Sequence, residues 1–362
     1  MSRNGAQIGR KPPLQDELIT LKMSECKAFL QIQIEAGQPV FLWGDPGVGK
    51  TEVIRRVSVA SGRKYFETRL LGRDVVDLYG MPKNIGDDQS GYRRPAFIPP
   101  ADAGKCVWFI DEVNRNNMQM LNVALQPVRD KVIGEHQLPS EMVTLVAGNY
   151  EDDPGVIRTS SAFNLRFKHV CVIPDLDDWC EWAAQNEIEP AVIAFLRLHP
   201  EMLHLFDPKL KSSANPRTWA MFSESLTVAL RLQVTERLIE ADVVGSVGSA
   251  VGRQFMTFFQ IYMANIRPDD ILKNPTTARI PDNPSILYAV CGALAYHSGD
   301  PVKFSAIRKY AERLPSEFDT LLMHMAVGKH GKKVTATPQY TAWAAKRPDL
   351  FTNSSINWSF AA

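Results

Sequence analysis

The chain is poor in cysteine, has no long apolar run and carries almost no surplus of charge. Its five cysteines (Cys26, Cys106, Cys171, Cys180 and Cys291) are odd in number and widely spaced, with no CxxC pair. This argues against a disulfide framework or a zinc site and fits a reducing compartment. The longest nearly apolar stretch, residues 286–296, is well short of the ~20 residues that cross a bilayer. Residues 1–15 are polar and basic, without the apolar core of a signal peptide. A soluble, cytoplasmic protein without membrane contact is expected. Lys and Arg number 41 against 40 Asp and Glu, a balance that argues against coating nucleic acid as the main task. Repeats, low-complexity tracts, helix-turn-helix patterns and zinc modules are not apparent. What is present is an ordinary globular composition, 45% apolar and 22% charged. At 362 residues such a chain buries a core without staples.

Residues 1–15 read as a loose, flexible tail. A helical pattern over 16–34 (Leu18, Leu21, Phe29, Leu30, Ile34) is stopped by Gly37. Short apolar runs follow at 40–43, 65–68, 107–110, 142–147 and 169–173, with helix-like stretches at 52–60 and 118–128. Such alternation predicts a parallel sheet covered on both faces. Residues 72–100, rich in Gly, Pro and Asp, read as a surface insertion with little regular core. Residues 131–138 read as a hairpin turning near Gly134. After 175 the pattern becomes helical, at 179–184, 190–198, 217–230, 243–262, 285–297, 304–314 and 317–328. The expected organisation is an α/β domain over 16–175, a helical domain over 176–330 and a C-terminal tail over 331–362. Trp343, Phe351 and Trp358 are the residues expected to pin that tail.

The chemistry is concentrated in Gly44, Asp45, Pro46, Gly47, Val48, Gly49, Lys50 and Thr51, which complete the GxxxxGK[ST] spacing. Glycines let successive backbone N–H groups converge on a phosphate without Cβ obstruction. A helix starting near Gly49 adds its positive end. Lys50 is placed to reach β- and γ-phosphates, and Thr51 offers a hydroxyl to Mg²⁺. An apolar strand before the loop and a helix after it supply the required context. The second element is the run from Cys106 to Ile110 ending in Asp111 and Glu112. A buried strand presents such residues at its C-terminal edge, where open α/β sheets bind ligands. Asp111 would hold Mg²⁺ through its water shell. Glu112 would polarise an attacking water, which points to hydrolysis rather than to a small-molecule kinase.

With these motifs the chain resembles the AAA+ ATPases, and within them the MoxR family. Asp111, Glu112, Val113, Asn114 and Arg115 form part of that likeness. Val146 to Asn149 resembles the sensor 1 strand, which implies that Asn149 orients the lytic water. Asn164 to Phe167 resembles the segment that gives an arginine finger to a neighbouring subunit, which implies that role for Arg166. Leu165 stands where the family usually has Asp, and Arg158 is the alternative finger. Ala214 to Arg217 resembles sensor 2, with Asn215 suited to N-cap, Pro216 to N1 and Arg217 to the first turn. The resemblance implies a P-loop sheet sandwiched by helices and followed by an all-α lid. It also implies ATP and Mg²⁺, a homo-oligomeric, hexameric ring, and a protein target, by analogy a von Willebrand A-type domain protein. No base-reading motif separates ATP from GTP.

Other residues have plainer readings. His199 and His204 are five apart, whereas metal pairs on one helix face prefer i,i+4, so neither is read as a ligand. His136 and His169 read as ordinary polar residues, and Cys106 and Cys171 as inert on buried strands. Trp179 and Trp182 read as helical core, and Gly245, Gly248 and Gly252 as a closely packed helix face. The expected function is an ATP-driven motor that remodels or activates a partner protein. The alternative is a nucleic-acid-associated AAA+ ATPase, such as a helicase loader or restriction motor, for which no basic module is evident.

Overall fold

The computed structural model describes residues 18–265 and 268–347. The expected tail at 1–15 lies outside them, as do Phe351 and Trp358. Ten strands are described: β1 (Thr20–Leu21), β2 (Val40–Trp43), β3 (Lys64–Arg69), β4 (Met81–Asn84), β5 (Ser90–Arg93), β6 (Cys106–Asp111), β7 (Val132–Ile133), β8 (His136–Gln137), β9 (Met142–Gly148) and β10 (Lys168–Val172). The main sheet has six strands in the order β1-β10-β2-β9-β6-β3, all parallel. The pairs β4–β5 and β7–β8 are separate antiparallel hairpins.

Strands β2, β6 and β9 are buried along their whole length. A parallel sheet covered on both faces requires that, and the period of two sorts their residues. Trp108 and Ile110 join Phe41, Trp43 and Val146 on one face. Val107 and Phe109 join Leu42, Leu145 and Ala147 on the other. The second face is covered by α1 (Met23–Glu35) and α2 (Lys50–Ala60), through Leu30, Ile34, Val53 and Ile54. The first is covered by α4 (Met118–Ala124) and by residues of the expected insertion. A P-loop AAA+ sheet with flanking helices and a helical C-terminal region is therefore the fold.

The structure corrects several local readings. The helix expected over 16–34 begins only at Met23, and residues 16 and 17 are outside the described set. Thr20 and Leu21 are instead an edge strand, held by Cys171 N–H to Ile19 O and Ile173 N–H to Leu21 O. The insertion at 72–100 has structure: α3 (Val75–Tyr79) and the β4–β5 hairpin. It also adds core, since Leu78 and Ile98 are buried with Met120 and Ile133. The single helix expected over 118–128 is α4 followed by the one-turn α5 (Gln126–Arg129). The turn at Gly134 does join the hairpin β7–β8. His136 is buried, with Nε2 2.7 Å from Tyr79 O. Burial pushes the Cys106 and Cys171 thiols up to about 11, in keeping with inert core cysteines.

The remaining helices are α6 (Ser161–Asn164), α7 (Leu176–Gln185), α8 (Pro190–Leu198), α9 (Pro216–Leu232), α10 (Glu236–Val247), α11 (Ser249–Asn265), α12 (Pro268–Lys273), α13 (Pro284–His297), α14 (Pro301–Ala311), α15 (Ser316–His330), α16 (Lys332–Thr335) and α17 (Pro338–Ala345). The helix expected over 243–262 is divided at Gly248, whose φ is +91°. A Cβ there would meet Ser212 O at 2.9 Å, whereas Gly245 faces open space and Gly252 packs on Val244. The three glycines thus do not form one packing face.

Packing divides the chain into two compact units. The first holds the sheet, through Trp179, with Glu201–Met221 and Ser246–Gly248. The second holds Cys180–Pro200, Phe222–Gly245 and the chain from Ser249 onward. In the second, Phe195 packs its ring on Phe255 and Phe258, with centroids 5.3 and 5.6 Å away. Buried Asp319 pairs with Arg308 and accepts Nη2 of Arg347 at 2.7 Å and Nε1 of Trp343 at 3.1 Å. These contacts secure α17, and Trp343 is buried as expected.

Candidate nucleotide site

In the main sheet β9 lies between β2 and β6, so the loops leaving their C-terminal ends are neighbours. The register pairs Trp43 with Gly148 and Ile110 with Val146. The GxxxxGKT loop, the Asp111–Glu112 turn and the loop after Asn149 therefore converge at one sheet edge, the usual ligand edge of an open α/β sheet.

Gly47 and Gly49 have φ of +81° and +99°, and α2 starts at Lys50. A Cβ on Gly47 would lie 2.3 Å from Asn215 Oδ1. Lys50 is buried, and its Nζ donates to Gly44 O at 2.7 Å, Asp45 O at 3.0 Å and Asn149 Oδ1 at 3.1 Å. Burial pushes its pKa down to about 8, although the Asp111 and Asp45 carboxylates act the other way. Its hydrogen bonds go to neutral oxygens, so an anionic group would relieve the cost of a buried ammonium. Thr51 Oγ1 donates to Asp111 Oδ2 at 2.9 Å. Those hard oxygens suit Mg²⁺. The residues present fit a nucleotide phosphate with its metal.

Asp111 Oδ1 accepts the Glu112 N–H at 2.9 Å. Glu112 has φ of +52°, the left-handed region, a conformation uncommon for a residue with a side chain and concentrated at functional sites. Asn149 is held by Asn114, whose Nδ2 donates to Asn149 O at 2.7 Å. Asn215 caps α9 as its sequence suggested, accepting from Arg217 N and Thr218 N, each at 3.0 Å. Arg217 N–H also reaches Gly47 O at 3.2 Å. Its guanidinium disfavours the charge on Lys50, which places it in the same field.

The structure thus brings Gly44 to Thr51, Asp111, Glu112, Asn149 and Arg217 together. It does not bring in Arg166 or Arg158. Arg166 Nη1 donates to Ala162 O at 2.5 Å, and Arg158 lies exposed, 3.8 Å from Glu151. The segment carrying Arg166 is nevertheless anchored firmly. Phe163 and Phe167 pack their edges on Phe41. Trp43 Nε1 donates to His169 Nδ1 at 2.9 Å, so the His169 proton sits on Nε2, 2.7 Å from Asn164 O. Burial lowers the His169 pKa and favours that neutral ring.

Sequence reasoning assigned no role to His204, Asp153 or Asn114. His204 is buried with Nε2 3.4 Å from Asp45 Oδ2, a long-range contact with no local signal. Asp153 is buried, and its carboxylate supports the charge on Lys50. Asn114 stood within the carboxylate motif, so a signal was present.

The fold and the arrangement of the loops together are those of a P-loop domain with the AAA+ fold. Residues 39–167 match the family model described as AAA domain (dynein-related subfamily). That match runs from β2 to Phe167 and contains every residue named above for this site except His169, His204, Asn215, Arg217 and Thr218. Similar solved structures include mutants of Thermotoga maritima RuvB. One is 15% identical over 75% of this chain and 80% of that chain, with a TM-score of 0.39. Another is 14% identical over 93% and 91%, with a TM-score of 0.38. A third structure, the Thermotoga maritima RuvB Holliday junction branch migration motor, is 16% identical over 75% and 80%, with a TM-score of 0.35. Among the described residues no helix is long and apolar enough to cross a membrane.

Proposed function

We propose that this chain is an ATP-hydrolysing AAA+ motor of MoxR type that remodels or activates a partner protein. The observation that carries the reading is the meeting of Lys50 with Asn149, 3.1 Å apart, beside the Thr51–Asp111 pair at 2.9 Å. Backbone N–H groups from Gly47 to Gly49 and the Lys50 ammonium would hold the phosphates. Thr51 and Asp111 would hold Mg²⁺, which offsets charge on the phosphate oxygens when bound. Glu112 accepts the proton of the attacking water, Asn149 orients that water, and Arg217 contributes positive charge from its own chain.

Arg166 is proposed to serve the site of an adjacent subunit, in a homo-oligomeric, hexameric ring. Support comes from its hydrogen bond to Ala162 rather than to its own P-loop, and from the rigid aromatic anchoring of its segment. The helices after residue 175 are proposed as the lid. The target is proposed to be a protein, in this family often of von Willebrand A type. The reading is tested by ATP binding and phosphate release. Lys50→Ala should lose a charge-assisted phosphate contact and bind ATP weakly. Binding and turnover equal to those of the unaltered chain would overturn it.

A further inference from the structure

Asn114 sits in the turn after β6 and is fully buried. A buried amide is costly unless its donors and acceptor are used. Here Nδ2 and Oδ1 both bond to a single residue. Nδ2 donates to Asn149 O at 2.7 Å, and Oδ1 accepts Asn149 N–H at 3.3 Å. That is how a strand backbone would pair with Asn149. Strand β9 ends at Gly148, and just before it Val113 N–H bonds to Ala147 O at 3.1 Å. The Asn114 side chain therefore continues the β6–β9 ladder past the point where both strands stop.

A Cβ on Gly148 would fall 2.6 Å from Asn114 Oδ1, so the close approach requires glycine there. Asn114 O also accepts Ile157 N–H at 2.9 Å. One residue thus fixes both the start and the end of the loop over 149–157. With its backbone held on both sides, Asn149 has a fixed Cα–Cβ direction, and its Oδ1 meets Lys50 Nζ.

We infer that Asn114 is a positioning residue that acts through Asn149, holding the Asn149 amide toward the P-loop lysine in the orientation that hydrolysis needs. This rests on the ATPase reading above. The expected signature is a loss in kcat with little change in KM, because the phosphate-binding loop itself is untouched. Misplacement of a catalytic group by about 1 Å is able to cost ~100-fold.

The test is steady-state phosphate release by the full chain and by Asn114→Ala, Asn114→Asp, Asn149→Ala and the Asn114→Ala/Asn149→Ala double variant. Asn114→Asp keeps the size and the acceptor but sets an oxygen against Asn149 O. It serves as the probe if Asn114→Ala does not fold. Each Asn114 variant should lose kcat by about 10- to 100-fold, with KM for ATP within about threefold. The double variant should be no slower than Asn149→Ala alone, the mark of residues acting as one unit. Multiplying losses, or an Asn114→Asp variant with unaltered kcat, would overturn the inference while leaving the ATPase reading intact. An unaltered chain that releases no phosphate would overturn the ATPase reading itself.

Discussion

The Lys50 ammonium and the Asn149 amide oxygen lie 3.1 Å apart although they come from loops 99 residues apart in sequence. Parallel pairing of β2 with β9 brings them together, since Trp43 stands opposite Gly148. The ammonium is buried and its pKa is pushed down to about 8 from the ordinary lysine value of 10.5. In the folded chain its proton therefore leaves near pH 8, whereas the unfolded chain keeps it until 10.5. Between those values the unfolded state binds more protons, so this group's contribution to stability rises with pH.

Nucleotide binding should reverse that loss of charge. A phosphate favours the protonated amine, so binding ATP at pH 9 should take up protons, and binding at pH 6.5 should take up none through Lys50. Calorimetry in buffers of different ionisation enthalpy reads this directly. Lys50→Arg should abolish the pH 9 uptake. Equal heats in all buffers at pH 9 would contradict the picture of a desolvated lysine.

Gly245 and Gly248 should respond to alanine with opposite signs. Gly248 has φ of +91° and faces Ser212 O, so Gly248→Ala should cost roughly 1–3 kcal/mol. Gly245 lies in α10, and a Cβ added there would meet nothing within 4 Å outside its own helix. Gly245→Ala should stabilise by about 0.5–1 kcal/mol through helix propensity. Denaturant unfolding of both variants checks this, and the same sign for both would contradict it.

The finger assignment is tested by mixing. Arg166→Ala should bind ATP almost normally and hydrolyse it poorly, by ~10³–10⁵-fold if the finger role holds. Adding Lys50→Ala protein should restore some activity, because some interfaces then pair an intact P-loop with an intact arginine. An inactive variant that mixing never rescues at ring-forming concentrations would refute the contact in trans. A fully active one would move attention to Arg158.

Much of the site was legible because its chemistry is local. The residues from Gly44 to Thr51 must be contiguous to cradle a phosphate, and Asp111 must end a buried strand. Asn215, Pro216 and Arg217 were legible as a cap for the same reason, and Asn215 does cap α9. What escaped depended on distant partners. Thr20 and Leu21 become a strand only because β10 offers its edge. Leu78 and Ile98 are core residues inside a Gly- and Pro-rich stretch that reads as surface. His204 carries no local signal beyond its spacing from His199, and its neighbour is Asp45, 159 residues away in sequence. Gly248 looked like a helix-packing glycine, but its positive φ ends one helix and starts the next.

The most direct measurement compares ATP binding with ATP turnover in Glu112→Gln. Glu112 follows the Thr51–Asp111 pair in a left-handed turn. The amide keeps the size of the side chain but cannot take a proton from water. Glu112→Gln should bind ATP with an affinity close to that of the unaltered chain and release phosphate at least ~100-fold more slowly. Turnover near the unaltered rate, with binding intact, would contradict hydrolysis at this site by Glu112.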